Sequence, residues 1–177
     1  MDIRLDPVRP EDKTFLVSVY ASTRADEMAV IGWTQDLQDS FLRSQHDAQQ
    51  RYYHSQFPDA SFNIVRYDGH AVGQMVVERK ETEIRLINIA LLPEYRHVGI
   101  GTFLLRGLME EARFAGKRVG LHVEQSNPAR NLYHRLGFEV TGQQGFHVEM
   151  VWTAKDQIST IHSESCQEQN SAAMEHV

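Results

Sequence analysis

One stretch, residues 84–115, constrains the fold of this chain more than any other part of the sequence. It reads IRLINIALLPEYRHVGIGTFLLRGLMEEARFA, and its first, β-branched apolar run is stopped by Pro93. After a short basic turn, apolar residues recur at intervals of three and four among good helix formers. The stretch therefore predicts a strand, a turn and a helix whose inner face carries Leu104, Leu108 and Ala112.

The start of this helix is the expected place for chemistry. The first N–H groups of a helix have no intrahelical partner, and the helix dipole places partial positive charge there. Gly99 and Gly101 have no Cβ, so an anion can approach the backbone closely, and Arg96 and His97 lie just ahead. Two glycines also occur in ordinary strand-to-helix turns. We interpret residues 96–101 as a pyrophosphate cradle.

Two other phosphate-binding motifs are absent from the sequence. GxxxxGK[ST] does not occur, so the lysine and the metal-binding hydroxyl of a nucleotide hydrolase are missing. GxGxxG does not occur either, because Leu104 stands at the place of its third glycine. The sequence therefore favours neither a P-loop nor a dinucleotide-binding turn.

Two blocks of sequence resemble motifs of one protein family. Residues 96–101, RHVGIG, resemble the [RQ]xxGx[GA] acyl-CoA motif of the GNAT superfamily of N-acetyltransferases, and residues 91–95, LLPEY, resemble its VxPexR approach. Residues 127–138, NPARNLYHRLGF, resemble its AxxLYxxxGF segment. The blocks follow the family's order at a family-like separation, and the resemblance covers residues 1–152.

The resemblance implies an α/β (α+β) fold for residues 1–153. The expected GNAT-like mixed sheet has about seven strands, of which the second to fourth run antiparallel. The fourth and fifth strands are expected to splay apart, and about four helices flank the sheet. Residues 154–177 are polar, and we predict a disordered tail there.

The implied activity is transfer of an acetyl group from acetyl-CoA, as cosubstrate, to a primary amine. The amine would attack directly in a ternary complex, on a small-molecule or peptide acceptor that the sequence does not identify. The single cysteine, Cys166, lies in the polar tail, so an acyl-cysteine intermediate is not expected. A non-catalytic acyl-CoA-binding or interaction module is the alternative, and release of CoA with an amine distinguishes the two.

The resemblance also assigns the cosubstrate to a set of positions along the two motifs. These are Ile89, Leu91, Arg96, His97, Val98, Gly99, Ile100, Gly101, Thr102, Asn127 and Arg130. The backbone of Ile89 and Leu91 is expected to follow the pantetheine arm, with the Leu91 N–H as oxyanion donor. Asn127 lies six residues before Tyr133, where the family pattern has seven.

The resemblance implies that Tyr133 is the proton donor to the leaving sulfur, because the LYxxxGF segment of that family places its hydroxyl there. A buried tyrosine whose hydroxyl is already hydrogen-bonded is the structural alternative. The general base stays open between Glu83, Glu124 and a water held by Asn88, and His122 is a further candidate.

The first two helices of similar proteins form one wall of the acceptor pocket. Trp33, Tyr52 and Tyr53 are therefore candidates for substrate binding. An apolar stripe on the second helix, with members at Leu37, Phe41, Ala48 and Tyr52, is more typical of a buried core than of a pocket wall. Thr34 is the predicted N-cap of that helix, which is expected to end before Phe57.

Composition limits the partners. The 177 residues carry a formal net charge of −6, which argues against a general nucleic-acid binder. No apolar segment is long enough to span a membrane and the N-terminus is charged, so we expect a cytoplasmic protein without a membrane partner. Nine histidines form no metal-binding motif, so no metal is expected. Homodimers are common among similar proteins.

The remaining elements follow from periodicity and turn residues. Residues 61–67 and 71–80 read as strands joined by Asp68-Gly69, a hairpin signal, and residues 118–124 read as another strand. A helix is predicted to start at residues 126–128, with Pro128 at its first position and Gly137 as its C′ residue. Two short strands are predicted at residues 138–141 and 146–152.

Overall fold

The computed structural model describes residues 2–155, which form one seven-stranded mixed sheet and five α-helices. The strands are β1 (Ile3–Pro7), β2 (Ser61–Tyr67), β3 (His70–Arg79), β4 (Glu83–Leu91), β5 (Arg118–Glu124), β6 (Glu139–Gln144) and β7 (His147–Trp152). The helices are α1 (Lys13–Thr23), α2 (Ala25–Ala29), α3 (Gln35–Gln56), α4 (Ile100–Phe114) and α5 (Ala129–Arg135). None of the helices in these residues is long and apolar enough to cross a membrane.

The strand order is β1-β2-β3-β4-β5-β7-β6, so the predicted sheet is confirmed, with one helix more than expected. The chain divides into two compact units. The first comprises Met1–Arg79 and Arg85–Leu104, and the second comprises Lys80–Ile84 and Leu105–Val177. Most of the predicted tail, residues 156–177 with Cys166, lies outside the described residues.

The first unit contains the antiparallel ladder β1-β2-β3. The hairpin between β2 and β3 turns at Asp68 and Gly69, both with positive φ, of 47° and 83°. Two central residues with positive φ make a type I′ turn, whose twist matches that of the flanking strands. The prediction from Asp-Gly is therefore confirmed.

The buried face of α3 differs from the predicted one. Leu37 and Tyr52 are 58% and 57% exposed, whereas α3 buries Leu42 and His46. The stripe was misplaced because its buried side includes a histidine, and apolar periodicity alone does not count that residue as core. The end of α3 before Phe57 is as predicted, and so is Thr34 as N-cap residue, although its side chain makes no cap hydrogen bond.

His46 lies in the core of the first unit. Neither ring nitrogen has a hydrogen-bond partner in the described structure, and the Asp47 carboxylate is 3.7 Å from Nδ1. The ring packs edge-on against Tyr20, and Lys13 pairs with Asp47 nearby. Burial lowers the pKa of His46 below its usual value, an effect that the Asp47 charge opposes without cancelling.

This burial predicts an acid-sensitive fold. A histidine whose pKa is lower in the folded state binds more protons when unfolded, so stability falls as pH drops through the unfolded value of about 6.5. We expect a lower free energy of unfolding near pH 5.5 than near pH 7.5, measured by urea denaturation. His46→Leu should reduce that difference, whereas His134→Leu, at an exposed position of α5, should preserve it. Equal pH dependence in all three proteins would contradict the account.

The second unit is built on β5, β7 and β6. β5 pairs antiparallel with β7 from Val119↔Trp152 to Glu124↔His147, and β6 flanks β7 on its other side. The predicted bounds of β5 are confirmed, while β6 is longer than predicted and turns into β7 at Gly145, whose φ is 58°. The helix α5 ends before Gly137, whose φ of 90° suits the predicted C′ position.

Candidate active site

The turn between β4 and α4 provides an open helix N-terminus. After a 3₁₀ turn at Pro93–Tyr95, His97 and Gly99 have positive φ, of 62° and 94°. The Gly99 carbonyl accepts the Phe103 N–H at 3.0 Å, which starts the helix. A Cβ built on Gly99 would meet nothing within 4 Å, so open space lies in front of the first helical turn. This arrangement fits a bound diphosphate.

The Arg96 side chain does not reach into this open space. Its Nε donates to the Leu91 carbonyl at 2.8 Å, and its Nη2 donates to the Ser22 Oγ at 3.0 Å and the Ser22 carbonyl at 3.3 Å. The backbone N–H of Arg96 donates to the Pro93 carbonyl at 3.2 Å. The Arg96 guanidinium is thus hydrogen-bonded to Leu91 and Ser22 within the protein.

The end of β4 passes unusually close to β3. A Cβ on Gly73 would lie 2.3 Å from the Ala90 carbonyl oxygen and 2.6 Å from Leu91 Cδ2, distances that real Cβ atoms do not adopt. The Leu92 N–H donates to the Val72 carbonyl at 2.9 Å and holds the two strands together there. Only glycine at position 73 therefore permits this path of the Ala90–Leu91 peptide. A glycine inside a predicted strand was the available signal, and sequence analysis missed it.

Three of the candidate bases lie on one face of the second unit. The Glu83 carboxyl lies against Gly120 of β5, since a Cβ there would be 3.0 Å from it. Because side chains alternate along a strand, His122 and Glu124 share that face of β5. Arg118 Nε donates to Glu83 Oε2 at 2.7 Å, whereas Glu124 is exposed. Asn88, the fourth candidate, is half-buried along β4.

Tyr133 is buried on α5. Its ring is 5% exposed and packs against Phe138 at 5.8 Å between centroids. Burial raises the pKa of Tyr133 to about 12, so the phenol keeps its proton at neutral pH. No group within residues 2–155 is hydrogen-bonded to its hydroxyl, which leaves that hydroxyl for a ligand.

Asn127 and Arg130 shape the loop that leads into α5. Asn127 Oδ1 accepts the N–H of Ala129, the first residue of α5, at 2.9 Å. Arg130 Nη1 donates to the Gln125 carbonyl at 2.7 Å. Both side chains thus hold the loop.

The candidate acceptor residues do not come together. Trp33 precedes α3 and packs edge-on against Phe41 at 5.3 Å, whereas Tyr52 and Tyr53 lie in the last turns of the same helix. At about 1.5 Å per residue, Phe41, on which Trp33 packs, is about 17 Å from Tyr52 along α3. Desolvation raises the pKa of Tyr53 to about 12. One small acceptor cannot touch both ends, so these residues are alternatives.

No group of three or more histidine, cysteine, aspartate or glutamate side chains that could hold a metal occurs within residues 2–155.

Comparison with known proteins agrees with the fold and with the motifs. A segment of the chain is 40% identical over 86 residues to cysteine-rich protein 2-binding protein of Mus musculus, covering 48% of this chain and 11% of that protein. It is also 39% identical over 71 residues to the ribosomal protein bS18-alanine N-acetyltransferase of Haemophilus influenzae, covering 40% of this chain and 46% of that protein. The chain thus spans less than half the length of either relative.

The fold also resembles solved structures. The crystal structure of the PaiA N-acetyltransferase of Thermoplasma acidophilum, in complex with coenzyme A, superposes with a TM-score of 0.65 at 20% identity. That match covers 87% of this chain and 100% of the other chain. The family model described as the acetyltransferase (GNAT) family matches residues 30–138, more than half of the sequence. The chain therefore belongs to the acetyltransferase (GNAT) family.

Proposed function

We propose that the protein transfers an acetyl group from acetyl-CoA to a primary amine by direct attack in a ternary complex. The observation that carries this proposal is the turn before α4, where Gly99 leaves open space at a helix N-terminus. The diphosphate of the cosubstrate would bind the N–H groups of residues 99–102. The backbone of Ile89 and Leu91 would follow the pantetheine, and acetyl-CoA would supply the acetyl group as a thioester.

Leu91 and Tyr133 have separate roles in this proposal. The Leu91 N–H would donate to the carbonyl oxygen of the thioester as negative charge develops on it. The Tyr133 hydroxyl would donate to the departing sulfur. Because the pKa of Tyr133 is about 12 and a thiol of this class has one near 8.5, full proton transfer is uphill. Tyr133 therefore contributes a hydrogen bond to the sulfur.

We propose Glu124 as the base that takes the amine proton, directly or through water. Glu83 is less suited, because Arg118 already binds one of its oxygens and its side chain is only 13% exposed. Glu124 has no such partner within residues 2–155 and is exposed at the end of β5. Glu83 then acts by keeping Arg118 and β5 in place.

The acceptor we propose to test first is the N-terminal amine of a protein. The Haemophilus influenzae relative acetylates an alanine of a ribosomal protein, according to its name, and this supports a peptide acceptor. We expect this activity in the cytoplasm, where acetyl-CoA is available.

The experiment is thiol release from acetyl-CoA in the presence of an alanine-initiated peptide, a polyamine, an amino sugar or an amino acid. We expect release with one of these amines, and a loss of about 10²-fold in kcat for Glu124→Gln at neutral pH. Glu83→Gln should cost less than about 10-fold. Absence of release with every amine, despite acetyl-CoA binding, would favour the non-catalytic acyl-CoA-binding module instead.

A further inference from the structure

The Arg96 guanidinium joins two parts of the first unit that are far apart in sequence. It contacts the Leu91 carbonyl at the end of β4 and both the carbonyl and the hydroxyl of Ser22 near the end of α1. Arg96 itself is half-buried and begins the turn that leads to Gly99. One side chain therefore links the glycine turn, the last residue of β4 and the last turn of α1.

The guanidinium of Arg96 stabilises the C-terminal end of α1. Helix C-termini carry carbonyl groups without intrahelical partners and partial negative charge, which a cation stabilises. The last turn of α1 contains no basic residue of its own. Arg24, the next residue, pairs with Glu27 at 2.6 Å. Arg96 therefore supplies the charge from 74 residues away.

The Ser22 hydroxyl oxygen can accept a hydrogen bond from Arg96. Its hydroxyl donates to the Val19 carbonyl at 2.7 Å, so its oxygen lone pairs are free to accept from Arg96. Ser18 makes the same local bond, to the Phe15 carbonyl at 2.6 Å, and contacts no arginine in the described structure. The Arg96 contact thus distinguishes Ser22 from an otherwise similar serine of α1.

The segment that follows Ser22 depends on the position of this helix end. It consists of α2, which has only five residues, and a turn that leads to Trp33. A helix this short is not stable alone, so its orientation is set by its ends and by packing. Within it, Met28 is buried, while Val30 is 84% exposed.

We propose that Arg96 and Ser22 form a positioning pair that fixes residues 24–33, one wall of the acceptor site, relative to the acyl-CoA turn. This inference rests on the proposed function and extends it to a residue outside the two motifs. Arg96 then acts on acceptor binding through Ser22, with no contact to the phosphates. Loss of the pair should weaken acceptor binding more than cosubstrate binding.

The test compares Ser22→Ala with Ser18→Ala, which loses the same local bond without losing an arginine contact. Hydrogen bonds to charged groups contribute enough that we expect the acceptor KM to rise about 3- to 10-fold in Ser22→Ala, with less than about 2-fold change in the acetyl-CoA Kd. Ser18→Ala should match the wild type. In Arg96→Gln, adding Ser22→Ala should raise the KM no further, because the partner is already gone.

Hydrogen exchange separates this proposal from the proposed function. Even without any substrate, amides of residues 24–33 should exchange faster in Ser22→Ala than in Ser18→Ala. If the wild type shows no transferase activity but this difference appears, the proposed function fails and the positioning pair stands. Identical exchange and identical acceptor KM in the two serine variants would overturn the positioning pair, whatever the activity.

Discussion

Replacing Gly73 by alanine is expected to reduce thiol release about 100-fold or more, because a 1 Å displacement of reacting groups already costs that much. The new Cβ would lie 2.3 Å from the Ala90 carbonyl oxygen and 3.1 Å from Leu91 Cα, both backbone atoms. The end of β4 must therefore move, and with it the Leu91 N–H that we propose as oxyanion donor. Overpacking of this kind also lowers the free energy of unfolding by about 1–3 kcal/mol.

Gly107→Ala is the matched control for this result. Gly107 lies within α4, and a Cβ there would meet nothing within 4 Å. The change should preserve kcat/KM and raise the free energy of unfolding by up to about 1 kcal/mol, as alanine favours helix. Denaturation and steady-state kinetics of both variants separate loss of fold from loss of chemistry. Full activity in Gly73→Ala would show that the path of β4 past position 73 is unimportant.

Tyr133→Phe should lower kcat about 10²- to 10³-fold, the cost of removing one hydrogen-bond donor to a developing charge. The ring, 5% exposed and packed on Phe138, stays in place, so the acetyl-CoA Kd and the thermal midpoint should change little. Since burial raises the pKa of Tyr133 to about 12, its ionisation should produce no alkaline loss of activity below about pH 10. Stopped-flow release of CoA measures the chemical step.

Tyr67→Phe controls for the loss of a tyrosine hydroxyl in general. Tyr67 lies on β2 of the first unit and packs edge-on against Tyr95. The Tyr67→Phe variant should retain the wild-type kcat. If Tyr133→Phe were as active as this control, Tyr133 would have no part in the mechanism. Solvent would then donate the hydrogen bond to the departing sulfur.

The elements that the sequence predicted well are those whose signals are local. The hairpin at Asp68-Gly69 was recognisable because positive φ at both turn residues favours this pair. The end of α5 was recognisable because the residue after a helix C-cap often has positive φ, which Gly137 adopts. The turn at residues 96–101 was recognisable because glycine at position 99 allows its φ of 94°. In each case, the backbone conformation that these residue types favour was sufficient to predict the turn.

Features that depend on distant partners could not be predicted in this way. The Arg96 guanidinium is hydrogen-bonded to Ser22, 74 residues away in the sequence. Glu83 accepts a hydrogen bond from Arg118, 35 residues away. The buried face of α3 includes His46, whose burial follows from packing and not from its hydropathy. Trp33 and Tyr52 were grouped by residue type, whereas the length of α3 separates them.

The central claim, that the turn before α4 binds the diphosphate of acetyl-CoA, is tested most directly by calorimetric titration with acetyl-CoA. We expect micromolar binding to the wild type and binding at least about 10-fold weaker to Gly99→Ala, whose Cβ would enter the space left for the anion. Gly69→Ala, with a similar positive φ and equally open surroundings in the β2–β3 turn, should bind as the wild type does. No binding to the wild type at millimolar acetyl-CoA, or equal binding to Gly99→Ala, would contradict the account.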